Sequence, residues 1–483
     1  MPIGSEAERI MDERTEGKLT MSRRKALGIA AASMAAFGSA ACGGFGQDSG
    51  PHPVPGDAAT IAKDAYIFGY PLVLLDVTRV AAEMVTPINR FHHAASLPTP
   101  AQRDVVRLDR DTLRSTAWLD LASEPMVLSV PAMGEGRFWL AKVTDAWTNN
   151  VHNPSSRRPA TESAGPPYTY AVTGPGWSGA LPKGLTPLPM PTPTVWLIIR
   201  IQVDGENDLP AVRAAQEGLR LVPLSAWAAG VEPQASAGTG QASTQTPPEW
   251  VAGMAPRVFF DRMCALLSTN PPAPEDAPAM RRFEKIGIRP GGTVEGISDA
   301  ELTAAVETAR QQIPVSLGAR TVNENGWLVD PDVGRFGTNY LLRAVIAHVA
   351  LGASLMTENA YYPTLFASTE AGGAAGRFRL HFAPGQLPPV DDFWSLTAYD
   401  ADNYLVSNPA GIYVVGHPDP VAINSDGSAD IAVQYAAPGP AVAAGNWLPI
   451  PESGQFSLTL RLYGPKAEAV QGRWRPPPLS PVL

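Results

Sequence analysis

Residues 456–463 read FSLTLRLY, apolar and polar residues alternating over four pairs. Strand side chains point to opposite faces in turn, so this period of two predicts a half-buried antiparallel strand. Residues 195–203 (VWLIIRIQV) form a second run rich in the β-branched and aromatic residues that strands favour. Outward from these two lie MVLSVP, RFWLAKV and YTYAVTG, within 126–174, and RFRLHF, FWSLTAYD, IYVVG and DIAVQY, within 377–435. Gly and Pro punctuate both groups at hairpin spacing. Helical patterns cover Asp57–Val85, Asp208–Arg220, Glu249–Leu267, Asp299–Gln312 and Thr338–Leu355. Pro71 is expected to kink or break the first. The fold class read here is mainly β with a helical segment in the middle.

Composition narrows the function classes. A chain of 483 residues is long enough for two or three domains. Hydrophobic residues at 45% exclude wholesale disorder, and 49 prolines with 44 glycines favour turns and short strands over a helical bundle. A net charge of −9, with no basic run outside the N-terminus, argues against nucleic acid as a partner. Two cysteines cannot build a disulfide framework or a four-thiolate zinc site. No phosphate loop, dinucleotide fingerprint or H-E-x-x-H motif occurs, so no cofactor and no metal are expected.

The N-terminus reads as an address. Arg23, Arg24 and Lys25 precede an uncharged run, Ala26–Ala41, too short for a spanning helix. Ser22-Arg23-Arg24-Lys25-Ala26-Leu27 resembles a twin-arginine signal, and Ser39-Ala40-Ala41-Cys42 resembles a lipobox with Ser where Leu is usual. Cys42 is therefore the candidate lipidation site, plain cleavage to a secreted or periplasmic product being the alternative. Met21 is a second candidate start. Residues 43–55 (GGFGQDSGPHPVP) read as a tether.

Long motifs carry a resemblance. FGYPLVLLDVTR, NRFHHA, DVVRLDRDTLRSTAWLDL, VTDAWTNN, TGPGW and PTPTVWLIIR precede NYLLRA, YYPTLF, FAPGQLPPVDDFWSLTAYD, NSDGSADI, NWLPIP and FSLTLRLYGPK. Over roughly 60–475 the chain resembles a bacterial pair of domains of unknown function, 1254 at the N-terminal end and 1214 at the C-terminal end. The resemblance implies an immunoglobulin-like β-sandwich, a helical segment and a jelly-roll-like β-sandwich, and no established reaction. The family tends to have Asn and Tyr where this chain has Asp109 and Arg114. The expected layout is export signal 1–41, tether 42–56, N-terminal sandwich 57–230, helical segment 231–358 and C-terminal sandwich 359–483.

Candidate site residues fall at strand ends. Arg107–Ser115 holds three arginines and two aspartates close after His92-His93. Such a cluster suits an anion and a positioned carboxylate, with Asp111 as candidate catalytic group and His93, Thr112 and Ser115 as ligand-binding candidates. A turn whose Asp and Thr satisfy backbone donors is the competing reading. Asp145 is the second catalytic candidate, beside Trp147 and Asn149 at the end of a strand; a turn and a core tryptophan compete there too. Tyr340 and Arg343 share a helix face, and Arg461 and Tyr463 share a strand face. With Trp394 and Trp447 they are expected to line one cleft, Arg343 or Arg461 holding an anionic group. An inter-domain ion-pair and aromatic seam is the alternative.

These residues leave two functions open. One is an exported, envelope-attached protein that binds a small polar or cyclic ligand between its sandwiches, with carboxylate acid–base chemistry. The other is a non-catalytic envelope binding or interaction module, a homo-oligomer through exposed β-edges being a third organisation.

Overall fold

The computed structural model describes residues 58–103, 106–161, 163–231, 245–316, 321–350, 355–440 and 442–482. The expected export signal, the candidate lipidation site Cys42 and the expected tether lie outside the described residues.

The first sandwich contains β1 (His92–His93), β2 (Thr112–Asp120), β3 (Met126–Val130), β4 (Trp139–Asp145), β5 (Asn150–His152), β6 (Tyr168–Thr173), β7 (Thr186–Pro189), β8 (Thr194–Gln202) and β9 (Arg220–Pro223). One sheet runs β1-β2-β8-β4-β5 and the other β7-β6-β3-β9. Leu113, Ala117, Leu197 and Ile199 of the first sheet pack on Leu128, Val130, Tyr170 and Val172 of the second. The opposite face of the first sheet carries Thr112, Arg114, Lys142 and Arg200, with Arg114 opposite Arg200 across the β2–β8 pair.

The second sandwich contains β10 (Val322–Glu324), β11 (Trp327–Val329), β12 (Ala360–Tyr361), β13 (Thr364–Ser368), β14 (Phe378–Phe382), β15 (Trp394–Asp400), β16 (Val414–Gly416), β17 (Ala429–Val433), β18 (Trp447–Leu448), β19 (Gln455–Tyr463) and β20 (Ser480–Pro481). Its larger sheet runs β10-β11-β13-β19-β15-β16, with β12 also on β19; the smaller runs β18-β17-β14-β20. Phe456, Leu458, Leu460 and Leu462 enter the core. The hairpin β10–β11 comes from within the expected helical segment 231–358 and extends this sheet before residue 359.

The strand that opened the sequence reading departs from its pattern. β19 is buried along its length from Phe456 to Tyr463, on both faces. Its polar face of Ser457, Thr459, Arg461 and Tyr463 lies beside Ser395, Thr397 and Tyr399 of β15. That face meets the first sandwich instead of water, so alternation signalled two chemistries and not two exposures.

The helical body forms around α1 (Ala58–Glu83). α2 (Leu209–Glu217) and α3 (Leu224–Ala229) flank the first sandwich; α4 (Pro247–Gly253), α5 (Pro256–Thr269), α6 (Ala277–Phe283), α7 (Asp299–Gln312) and α8 (Tyr340–Ala350) surround α1, and α9 (Ala467–Val470) follows β19. The expected single helix at Glu249–Leu267 is two, because Pro256 removes a donor and opens α5 at its first position. Pro71, by contrast, leaves α1 one element. It forfeits one intrahelical bond, but Tyr66, Phe68, Leu72 and Val73 are buried among the surrounding helices, and that packing holds the axis. α1 is long and apolar enough to cross a membrane, yet 72% of its apolar window is buried within the fold. It packs mainly with the helical body and meets the sandwich it precedes in sequence at the turn after β4, through Ala146 and Trp147.

Candidate functional site

The two sandwiches meet through the polar faces of β2–β8 and β15–β19. Asp109 sits just before β2 and is 4% exposed. Its Oδ1 accepts from the Thr112 backbone N–H (3.1 Å) and hydroxyl (2.8 Å). Its Oδ2 accepts from Arg200 at 2.8 Å and faces Arg114 at 3.6 Å. The two positions that set this chain apart from its resemblance are thus charge partners. Burial alone raises the Asp109 carboxyl, but Arg200, then Arg114 and Arg461, hold it well below the usual carboxylate range.

Arg461 reaches across β15, donating to Thr397 Oγ1 at 3.0 Å, to the Arg107 carbonyl at 3.2 Å and to the Tyr399 hydroxyl. Arg107 answers from the other module, donating to Thr459 (3.0 Å) and Ser457 (3.1 Å). These contacts fix the relative position of the sandwiches.

Asp111 lies two residues on, immediately before β2, and is fully buried. Its Oδ2 accepts from Ser395 Oγ at 2.7 Å and Tyr463 Oη at 3.3 Å, both from the second sandwich. Its Oδ1 faces His417 Nδ1 at 3.7 Å, and neither atom has a hydrogen-bond partner. The other imidazole nitrogen, Nε2, lies 2.8 Å from Asp204 Oδ1 and 3.3 Å from the Gln202 amide. Phe393 stacks on the ring at 4.1 Å. Burial lowers the imidazole pKa, but Asp111 and Asp204 outweigh it and hold His417 above its ordinary value. The arrangement is a carboxylate–imidazole–carboxylate row running from the buried Asp111 to the half-exposed Asp204. The outer step, His417 to Asp204, is within hydrogen-bond distance, and the inner one, His417 to Asp111, is not.

An open cleft of about 590 Å³ is lined by Glu135, Arg137, Trp139, Arg157, Tyr168 and Asp392 among others, and by none of Asp111, His417 and Asp204. Arg137 donates to the Gln202 carbonyl at 2.7 Å and pairs with Asp208. Arg157 bridges the modules through Asp392 at 2.8 Å.

Asp145 and Arg343 belong to a separate cluster. Asp145 Oδ1 accepts from the Trp147 and Asn149 backbone N–H groups at 2.9 and 2.8 Å, and Oδ2 accepts from Asn149 Nδ2 at 3.0 Å. These donors give Asp145 the work of holding a turn. Trp147 packs on Phe68 at 4.9 Å and donates to the Pro271 carbonyl at 3.2 Å. Tyr340 stands edge-on to Phe68. The four residues Asp111, Arg461, Asp145 and Arg343 therefore sort into two neighbourhoods, Asp111 with Arg461 and Tyr463, Asp145 with Arg343 and Tyr340.

Comparison with known proteins names the two sandwiches. The family model described as protein of unknown function (DUF1254) matches residues 88–223, and that described as protein of unknown function (DUF1214) matches residues 359–467. The chain belongs to this two-module family. A crystal structure of the VPA0106 protein from Vibrio parahaemolyticus is similar at 21% identity, with a TM-score of 0.63, over 88% of this chain and all of that one. An uncharacterized protein from Burkholderia cenocepacia matches at 13% identity and a TM-score of 0.40, over 83% of this chain and 85% of that one. No curated protein matches.

The remaining candidates scatter within the DUF1254 and DUF1214 modules. His93 Nδ1 bonds Ser115 Oγ at 2.8 Å at the edge of the DUF1254 sheet, beside a surface pocket of about 230 Å³ that Arg90 and Arg220 also line. Thr112 is held by Asp109. In the DUF1214 module, Trp394 packs on Phe382 at 5.8 Å, and Trp447 donates to the Gln434 carbonyl at 2.9 Å. Trp394 meets the Asp111–His417 row through its backbone carbonyl, which accepts from the His417 N–H at 2.9 Å. Among the described residues no group of three His, Cys, Asp or Glu side chains gathers as a metal site would need. Cys264 is buried in α5 as a free thiol. His417, Asp204 and Tyr399 were missed by sequence reasoning. The one available signal was Gly416-His417-Pro418 directly after the strand IYVVG, a strand-end position of the kind that carries function.

Proposed function

We propose that this protein is exported to the cell envelope, anchored there through Cys42, and binds a small polar ligand where its two modules meet. In this reading the ligand sits at the module junction beside His417, and Asp111 with His417 gives and takes its proton. Asp111 Oδ1 and His417 Nδ1, buried, unpartnered and 3.7 Å apart, carry the reading. Buried polar atoms without hydrogen-bond partners are rare, and this pair stands just beyond hydrogen-bond distance, so each keeps its capacity to bond a ligand beside it.

A thermal-shift screen of the mature chain against sugars, lipids and cell-wall fragments tests it. A ligand that stabilises the wild type and loses its effect in Asp111→Asn and His417→Gln supports the site. Chemical change of that ligand by the wild type alone makes the pair catalytic; binding without change, equal in all three proteins, leaves a binding module whose site lies elsewhere.

A further inference from the structure

We propose that Arg343 anchors a second, buried site that takes a small hydroxy-carboxylate, at the junction of the helical body and the end of β4. Arg343 is 2% exposed. Its guanidinium lies over the rings of Phe68, Trp147 and Tyr340 at 5.4, 5.1 and 5.3 Å. Three rings from α1, the turn after β4 and α8 fix the guanidinium and exclude water from it. Nε and Nη2 have no hydrogen-bond acceptor. These two nitrogens point their hydrogens along one edge of the guanidinium, the edge that grips a carboxylate with two parallel bonds.

The neighbouring acids do not fill that edge. Asp145 and Asp276 both act on Arg343 electrostatically. Neither forms an ion pair with it among the described residues. The Asp145 oxygens face the donors of their own turn, as above. Asp276 Oδ2 accepts from the Ala273 backbone N–H at 3.2 Å and the Tyr340 hydroxyl faces the same carboxylate, while Oδ1, also buried, has no hydrogen-bond partner. An empty donor edge and an empty acceptor oxygen thus occur in one cluster, and Tyr340 touches both residues. A carboxylate fits the first and a hydroxyl fits the second. Leaving both desolvated without a guest is costly, because each buried orphan forfeits its hydration. The site is independent of the Asp111–His417 row, sharing no residue with it.

Glycolate, with acetate as the control lacking the hydroxyl, tests the proposal on the full mature chain by thermal shift and calorimetric titration. The expected result is saturable binding of glycolate to the wild type and weaker binding of acetate. Arg343→Lys keeps the charge but loses the two-pronged edge, and is expected to weaken both by ~10-fold or more. Asp276→Asn is expected to erase the preference for glycolate while acetate binding persists. Asp111→Asn is expected to leave both affinities unchanged. Absence of saturable binding to the wild type overturns the proposal and assigns the space to water. So does undiminished binding in Arg343→Lys, or loss of binding in Asp111→Asn. Should Arg343→Lys fail to fold by circular dichroism, the glycolate-to-acetate ratio in Asp276→Asn decides: retained preference overturns the site, lost preference supports it.

Discussion

His417 stands between two carboxylates, and its protonation sets the charge of the module junction. Its folded pKa lies above the ordinary value of about 6.5, so its contribution to stability is complete below that pH. The contribution falls away as pH rises through the higher folded value. An imidazole NMR titration is expected to show a midpoint above ~6.5 in the wild type and a lower one in Asp204→Asn. A wild-type midpoint below ~6.5 would sink the assignment. Asp109 shows the opposite sign: its depressed carboxyl stabilises the fold above the unfolded value of ~3.9 and loses that contribution as pH falls through the folded one. Asp109→Ala takes a buried carboxylate from between Arg200 and Arg114, and is expected to cost about 3–5 kcal/mol in urea unfolding. A loss under ~1 kcal/mol would show that water reaches the guanidinium groups freely. The arginine–aspartate density of residues 107–115 was legible as a polar cluster. Its partners were not, because Tyr399, Arg461 and His417 come from about 300 positions away in sequence.

At the scale of elements, the end of β16 controls the row. Gly416 has φ of +105°, and a Cβ added there meets the Trp394 carbonyl oxygen at 2.7 Å. Gly416→Ala is expected to cost about 1–3 kcal/mol. It also moves the adjacent His417, so the imidazole midpoint is expected to relax toward its ordinary value; an unmoved midpoint with unchanged melting refutes this. Helices and strands were legible from period and composition. α7 begins and ends at the residues read from sequence, with Ser298 capping it and Glu301 reaching back. The continuity of α1 through Pro71 was not legible, since it depends on helices that arrive some 190 residues later. Asp208 stands at the N-cap position of α2 but its side chain makes no capping bond and pairs with Arg137 instead.

At the scale of the whole molecule, the proposed export and the junction make separate predictions. A reporter fused after the tether is expected outside the cytosol, and Arg23→Lys with Arg24→Lys is expected to retain it inside. Cys42→Ala is expected to shift the exported protein from membrane to soluble fraction. A wild-type fusion that stays cytosolic sinks the envelope reading and leaves the junction chemistry standing. The junction itself buries arginines and aspartates, so salt is expected to change its melting little, in contrast to surface ion pairs.

The sequence by itself determined the element types, their order, the two sandwiches and the family, because hydrophobic period, turn residues and long motifs are local properties of the chain. Tertiary structure alone decided that the polar faces of β2–β8 and β15–β19 turn inward onto each other, and that Asp111 finds His417 while Asp145 finds Arg343. A strand's alternation records which residues share a face. What covers that face depends on the rest of the chain, and here another sandwich covers it.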